Sequence, residues 1–378
     1  MTVANLLDYL NWRGDLTLSQ SPFNDVDSLV LSTLSYVFFD GILSENMAQA
    51  ITIRELIEAY FSRPQAEWRM RIGEDEALLR AMQTSNRFSE TRVCGYVNKL
   101  DAQTEKQFSA MTFLLEDDTV FAAFRGTDYS LVGWKENFNM CFMDDVPAQR
   151  DAAAYLSLVA ATFPCLLRVG GHSKGGNLAV YGAAMCSQEV QERILCVYNH
   201  DGPGFRDAVL QREGYQRVLP KVRTFLPQSS VIGLLLEQQG ENIVIQSNET
   251  GIMQHEPYSW EVLGPNFVQL DGLTEKSCFL DSTMTLWLEG ISEDKREQFV
   301  EAVYKAMTIA QKDAAEDVLV SPKIVFGALQ ALKDEDEATK KMMGDSMKLL
   351  LQAAKQTAVE YAGLPGQGIW ERRNENEK

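Results

Sequence analysis

Between residues 118 and 247 the sequence alternates between short apolar segments typical of buried strands and segments with helical periodicity. Alternating strands and helices predict a mostly parallel sheet with helices on both faces. Strand-like segments also precede this region, at 91–100 and 106–117, and "EDDT" at 116–119 predicts a hairpin turn. The expected fold class is therefore α/β.

One segment in this region, "LLRVGGHSKGGNLAVYGAAM", places a G-x-S-x-G pattern around Ser173. Residues 165–169 predict a buried strand before the serine, and the periodicity from Lys174 onward predicts a helix after it. A nucleophile elbow needs this order of strand, glycine turn and helix, because its strained turn exposes the serine oxygen and its glycines permit close approach. The alternative is a structural glycine turn.

A serine nucleophile needs a general base, and the chain has only three histidines. His172 directly precedes Ser173, and we expect it to pack beneath the turn as a structural residue. His255 follows the predicted strand at 242–247, which is the place of the base in the α/β-hydrolase chain order. His255 is therefore the candidate base, and His200, at the end of an earlier strand, is the reserve candidate.

The candidate acid is Asp201, which follows the predicted strand at 193–199. Catalytic groups gather at the carboxyl ends of strands in open α/β sheets. The alternative is an Asp-Gly turn in which Asp201 caps its own backbone. Asp207 and Glu256 are further candidates for the acid.

Two backbone N–H groups are candidates for an oxyanion hole. One belongs to Lys174, directly after the serine, and the other to Thr127, where "FAAFRGTDYSLVGW" leaves a predicted strand. The alternative for Thr127 is an ordinary hairpin end. The ammonium group of Lys174 either attracts an anionic head group or pairs with a surface acid.

Charge and cysteine content restrict the possible partners and location. The net charge is −18 and no basic cluster is apparent, so nucleic acid and anionic membrane surfaces are poor partners. The sequence shows neither a signal peptide nor a run of about 18 apolar residues, so no transmembrane segment is expected. Six dispersed cysteines are typical of reduced core residues and favour a cytoplasmic location. No motif implies a metal or an organic cofactor, and the oligomeric state stays open.

The two ends of the chain are predicted to be helical. In the N-terminal part the expected helices lie at 25–41, 52–61 and 74–83, and in the C-terminal part at 292–313, 321–334 and 336–363. Residues 371–378 are expected to form a solvated tail. We therefore predict a hydrolase domain over 1–275 and a helical region over 276–378.

Two motifs together resemble the class 3 lipases, "AFRGTDYSLVGWKENF" and "GGHSKGGNLA". The resemblance covers roughly residues 25–260 and is strongest to bacterial, intracellular, lipase-like proteins of unassigned function. It implies an α/β-hydrolase fold and does not reach the predicted C-terminal helices. It also implies Ser173 as the nucleophile, Thr127 as the oxyanion residue and His255 as the base.

In that lipase pattern the acid follows the next strand, where this sequence has "TFLPQSSVIGLLL" and no carboxylate. The catalytic group is therefore a triad completed by Asp201, a Ser-His dyad or a defunct site. The expected function is hydrolysis of a small-molecule ester or lipid. Acyl transfer to another acceptor and a non-catalytic binding or scaffold role are the alternatives. Residues 229–240 are expected to form either a core helix or a substrate-facing flap.

Overall fold

The computed structural model describes residues 3–128, 130–314 and 336–362, and its centre is an eight-stranded sheet with the strands in chain order. The strands are β1 (Ile51–Thr52), β2 (Arg92–Asp101), β3 (Lys106–Leu114), β4 (Val120–Phe124), β5 (Leu167–His172), β6 (Ile194–His200), β7 (Val222–Pro227) and β8 (Asn242–Ile245). Pairings are antiparallel from β1 to β4 and parallel from β4 to β8. The predicted α/β fold with a mostly parallel sheet is confirmed, as is the hairpin between β3 and β4.

Helices flank this sheet, and further helices follow at the C-terminal end. They are α1 (Leu6–Arg13), α2 (Asp25–Leu34), α3 (Ile53–Phe61), α4 (Glu74–Thr84), α5 (Leu131–Asn139), α6 (Pro147–Thr162), α7 (Lys174–Met185), α8 (Gln188–Arg193), α9 (Asp207–Leu210), α10 (Glu213–Val218), α11 (Glu275–Glu289), α12 (Glu293–Ala314) and α13 (Glu337–Ala362). In β4, Phe121 packs with the α1–α4 side, whereas Val120 and Ala122 pack with α6 and α7. This alternation buries both faces of the strand. None of the helices in the described ranges is long and apolar enough to cross a membrane.

The N-terminal helix expected at 25–41 ends earlier, at Leu34. The hydroxyl of Ser35 donates to the Ser32 carbonyl at 2.6 Å, a local side-chain bond that competes with further helix. The chain then turns and buries Tyr36 and Phe39. A helical pattern alone did not predict this turn, which brings Tyr36 to the candidate site.

At the C-terminal end the helices expected at 292–313 and 336–363 are confirmed as α12 and α13. The sequence interpretation omitted α11, which Thr274 caps by accepting from the Ser277 amide at 3.3 Å. The expected helix at 321–334 and the tail at 371–378 lie outside the described residues.

Helix α12 contacts the α/β part of the chain. Lys135 on α5 forms an ion pair with Glu301 at 2.6 Å, and Arg296 donates to the Cys141 carbonyl at 2.9 Å. The division into 1–275 and 276–378 stays a prediction.

Candidate functional site

Ser173 lies in a strained turn between β5 and α7. Its backbone has φ +60° and ψ −134°, a region that residues with a side chain rarely occupy. Its N–H donates to the His200 carbonyl of neighbouring β6 at 2.8 Å, and the side chain is half-buried. The strand–turn–helix order expected from the sequence is therefore present at Ser173.

Close backbone contacts explain the glycines around this turn. A Cβ atom at Gly175 would lie 2.1 Å from the Phe124 carbonyl oxygen, and one at Gly171 would lie 2.3 Å from the Gly175 carbonyl carbon. Both distances are far below van der Waals contact, so only glycine permits this packing. The first turn of α7 consequently lies directly against the end of β4.

Asp201 and His255 form a hydrogen bond. The His255 Nδ1 lies 2.6 Å from the Asp201 Oδ2, and the Asp201 side chain is fully buried. Because a carboxylate only accepts hydrogen bonds, Nδ1 donates and Nε2 is the nitrogen left to accept a proton. Residues far apart in the sequence thus form a hydrogen-bonded His–Asp pair, which is the kind of pair that a triad contains.

The buried Asp201 carboxylate is held by the segment 229–240, a contact that the sequence did not predict. Its Oδ1 accepts from the Ser230 hydroxyl at 2.5 Å and from the Gly233 N–H at 3.2 Å. Asp201 itself has φ +53°, and its N–H donates to the Phe225 carbonyl at 2.9 Å. The only signal in the sequence was the pair of serines at 229–230, at the place where the lipase pattern has its acid.

This loop corrects the expectation of a core helix over 229–240, because the segment consists of turns, bends and an isolated bridge from Glu237 to Phe205. A Cβ atom at Gly233 would lie 2.3 Å from the Asp201 Oδ1, and Leu236 has φ +65°. The backbone is therefore folded around the carboxylate in a form that an α-helix could not adopt. The flap role of this segment stays a prediction.

His172 holds the backbone of the His255 loop. Its Nε2 donates to the His255 carbonyl at 2.7 Å, and its Nδ1 accepts from the Tyr36 hydroxyl at 2.9 Å. Burial lowers the pKa of His172 well below its usual value, as does the neighbouring His255. A neutral His172 suits this pattern, in which one ring nitrogen donates and the other accepts.

The two other candidates for the acid have different surroundings. Glu256 forms a two-pronged ion pair with Arg71, whose guanidinium lies 4.7 Å from the centre of the Tyr36 ring. Asp207 is exposed at the start of α9. Glu256 therefore anchors the segment that follows His255, and Asp201 is the candidate that binds a histidine.

His200, the reserve candidate for the base, is buried away from Asp201. The Ser28 hydroxyl donates to the Asp25 carbonyl at 2.7 Å, so at 2.8 Å it accepts from the His200 Nε2. The ring stacks on Phe225 with centroids 5.1 Å apart. Among the described residues its Nδ1 has no partner. Burial lowers the pKa of His200 to about 3.

We expect the low pKa of His200 to make the protein less stable in acid. The unfolded chain binds a proton below about pH 6.5, whereas the folded chain does not until about pH 3. The contribution of His200 to the free energy of unfolding is therefore fully present above pH 6.5. Below pH 6.5 it falls by about 1.4 kcal/mol per pH unit. His200→Phe, which keeps a ring against Phe225, removes this slope.

Urea unfolding of both proteins at pH 7, 6 and 5 measures the effect. As the pH falls, the free energy of unfolding should decrease more for wild type than for His200→Phe. Ser28 keeps its own bond to the Asp25 carbonyl in the variant. Parallel pH curves for the two proteins would contradict a neutral, buried His200.

The candidate oxyanion donors lie at the ends of neighbouring strands. Phe124 of β4 pairs with Gly171 of β5, so Thr127 and Lys174 follow adjacent strand ends. The Thr127 hydroxyl accepts from Asn137 Nδ2 at 2.6 Å. This arrangement brings the two backbone segments named from the sequence to the same edge of the sheet.

The Lys174 ammonium group is buried, so neither of its expected roles is correct. The side chain is 1% exposed and forms an ion pair with Glu136, which is itself 0% exposed. Burial lowers the pKa of Lys174, while Glu136 raises it. Lys174 thus has a buried acid as its partner, and its ammonium group is not placed to attract a head group.

No hydrogen bond joins the hydroxyl of Ser173 to His255 in the part of the chain that the structure describes. The His255 ring is 24% exposed and lies 4.5 Å from the His172 ring, centroid to centroid. Catalytic hydrogen bonds are often long in ligand-free sites and tighten when substrate binds.

Comparison with known proteins gives one family match. Residues 82–305, more than half of the chain, match the sequence model of the Mbeg1-like family. Among solved structures the chain is similar to the native propeptide complex of the Rhizomucor miehei lipase, with 17% identity and a TM-score of 0.35. That similarity covers 59% of this chain and 86% of the lipase chain. No curated protein matches the sequence.

The family match includes the strained serine turn, the Asp201–His255 pair and both candidate oxyanion segments. It therefore covers all of the residues that the sequence singled out for catalysis. The chain belongs to the Mbeg1-like family, which is lipase-like and related to the class 3 lipases.

Proposed function

We propose that this protein is a serine acyl hydrolase that acts on a carboxylic ester of a small molecule or a lipid. The observation that carries the proposal is the 2.6 Å bond between His255 Nδ1 and the buried Asp201 carboxylate. The strained Ser173 follows β5, the strand next to the one that Asp201 follows. This combination supports a nucleophile, a base and an acid of the kind that acyl hydrolysis uses.

Each residue has a role in the proposed reaction. The Ser173 hydroxyl attacks the ester carbonyl while His255 Nε2 takes its proton and later gives it to the leaving alcohol. Asp201 keeps the Nδ1–H of His255 in place and stabilises the imidazolium that forms. Water then attacks the acyl-serine with the same histidine as its base, which releases the carboxylic acid and restores Ser173.

The negative oxygen of the tetrahedral intermediate is proposed to bind the backbone N–H groups of Thr127 and Lys174. The Lys174 N–H belongs to the first turn of α7, where N–H groups have no partner within the helix. Helix N-termini of this length favour negative charge. Preorganised donors of this kind are each worth about 3 kcal/mol in the transition state.

A fluorophosphonate probe tests the proposal, because it reacts with an activated serine and stays attached. We expect wild type to take the label, Ser173→Ala to take none, and His255→Ala to react slower by about 10⁴-fold or more. Ser229→Ala is the matched control, since the hydroxyl of this nearby serine bonds to the Thr274 hydroxyl at 2.9 Å. It should label like wild type.

Hydrolysis of short-chain and long-chain p-nitrophenyl esters by the same four proteins completes the test. Activity that disappears in Ser173→Ala and persists in Ser229→Ala supports the proposal. If folded wild type neither takes the label nor hydrolyses any ester, the catalytic proposal is wrong and a non-catalytic binding role is favoured.

A further inference from the structure

Three buried polar side chains lie between the two proposed oxyanion donors. Lys174 Nζ donates to the Gln107 carbonyl at 2.7 Å, to Gln107 Oε1 at 3.2 Å and to Glu136 Oε2 at 2.5 Å. All three of its protons are therefore used. Glu136 also accepts from the backbone of Gln107 at 2.9 Å and of Ala148 at 2.8 Å. The charged pair is thus fully hydrogen-bonded, which a buried ion pair needs in order to persist.

This pair fixes the orientation of the Gln107 side-chain amide. An ammonium group can only donate, so the amide oxygen must face Lys174. The amide nitrogen then faces the other way, and Nε2 donates to the Gly126 carbonyl at 3.4 Å. The amide of Gln107 therefore connects the side chain of one proposed oxyanion residue to the peptide that precedes the other.

The Gly126 carbonyl and the Thr127 N–H belong to the same peptide group. In a planar trans peptide the two groups point in opposite directions, so a bond that fixes the carbonyl also fixes the N–H. The structure contains no cis peptide bonds in the described ranges. Gly126 is held closely as well, because a Cβ atom there would lie 2.0 Å from the Tyr36 hydroxyl.

We propose that Gln107 is a positioning residue that aims the Thr127 N–H into the oxyanion hole, with Lys174 and Glu136 locking its amide. The catalytic part of this inference rests on the proposed function, because both concern the same site. It adds that the side chain and the backbone N–H of Lys174 both contribute to the same oxyanion hole. The side chain holds one donor through Gln107, while the backbone supplies the other.

Two variants separate this role from a merely structural one. Gln107→Met keeps the length of the side chain but loses both of its polar contacts. Gln107→Glu keeps an acceptor for Lys174 and replaces the donor to the Gly126 carbonyl by an oxygen, and it also adds a carboxylate beside the Lys174–Glu136 pair. If the bond to Gly126 matters, both variants should be impaired, whereas a role limited to satisfying Lys174 would affect only the methionine variant.

Gln191→Met is the matched control. Gln191 is a buried glutamine whose amide donates to the Ala183 and Ala184 carbonyls at 3.0 and 2.8 Å, at the far end of α7. Its replacement should lower the melting temperature and leave kcat unchanged. It therefore shows how much of any loss comes from removing a buried amide alone.

The kinetic readout is the hydrolysis of a p-nitrophenyl ester together with inhibition by a trifluoromethyl ketone, whose serine adduct carries an oxyanion. Both Gln107 variants should lower kcat by about 10²-fold with little change in KM. The inhibition constant should rise by the same factor as kcat/KM falls. Unchanged kcat and inhibition in both folded variants would overturn the inference.

Crystal structures of wild type, Gln107→Met and Gln107→Glu give a readout that does not depend on activity. The inference expects the Gly126–Thr127 peptide to turn away from its wild-type direction in both variants. A peptide that keeps its direction overturns the inference whatever the activity. If wild type hydrolyses no ester and takes no fluorophosphonate label, the proposed function fails, and the peptide direction still decides whether Gln107 positions it.

Discussion

Replacing Asp201 by asparagine is expected to lower kcat for ester hydrolysis by about 10⁴-fold. The Asp201 carboxylate accepts from His255 Nδ1 at 2.6 Å and so keeps the proton on that nitrogen. An amide NH₂ in the same place would donate to Nδ1 and move the proton to Nε2. His255 could then no longer take a proton from Ser173.

The surroundings of Asp201 decide which way the new amide would point. The other oxygen of the Asp201 carboxylate, Oδ1, accepts from the Gly233 N–H. A backbone N–H can only donate, so it requires an acceptor at this position. The amide oxygen must therefore face Gly233, and the NH₂ group faces His255. The Ser230 hydroxyl lies 2.5 Å from Oδ1. A hydroxyl can donate to an amide oxygen or accept from an amide nitrogen, so it does not oppose this orientation.

Steady-state kinetics of Asp201→Asn and Asp207→Asn, with melting temperatures for both, measure this effect. Asp207 is an exposed aspartate at the start of α9, so we expect its variant to retain wild-type kcat. If folded Asp201→Asn kept most of the wild-type activity, the site would work as a Ser-His dyad and the role given to Asp201 would be wrong.

The local parts of the site could be predicted from the sequence because they depend on short-range patterns. An apolar strand, glycines and a helical segment surround Ser173, and this local order is sufficient to predict its turn. Asp201 was named on similar grounds, from its place directly after a strand. The alternation of strands and helices likewise predicted the mostly parallel sheet, since each crossover is local in sequence.

The supporting residues could not be predicted, because their partners are distant in the chain. Tyr36 reaches His172 only because α2 ends before the expected position and the chain turns. Glu136 meets Lys174 through packing of α5 against β3, and sequence spacing gives no sign of it. The sequence therefore predicts a surface cation at Lys174, although its ammonium group is buried.

The N-terminal helices form part of the support of the site, and one buried ion pair holds them. Arg87 Nε donates to Asp27 Oδ1 at 2.6 Å, and both side chains are fully buried. Asp27 also accepts from the Tyr9 hydroxyl at 2.7 Å. Helix α2, which carries Asp27, also carries Ser28, the partner of His200. Loss of this pair should loosen α2 against the sheet.

We expect Arg87→Met to lower the free energy of unfolding by about 3–5 kcal/mol, because it leaves the Asp27 carboxylate buried without its cation. The variant also removes the donors to several loop carbonyls, those of Leu16, Thr17, Ser21 and Pro22. The double variant Arg87→Met/Asp27→Asn should recover part of the loss, since no charge then stays buried. It should not recover all of it, because the loop carbonyls still lack their donor.

Asp25→Asn is the control for an ion pair on the same helix. Asp25 pairs with Arg223 at 2.7 Å, and the Arg223 side chain is 43% exposed. Exposed pairs contribute about 1 kcal/mol or less, so urea unfolding of this variant should stay close to wild type. A similar small change in Arg87→Met would show that the Arg87–Asp27 pair does not anchor α2. A large loss confined to Arg87→Met, with kcat intact well below its melting temperature, would show that α2 stabilises the site without taking part in its chemistry.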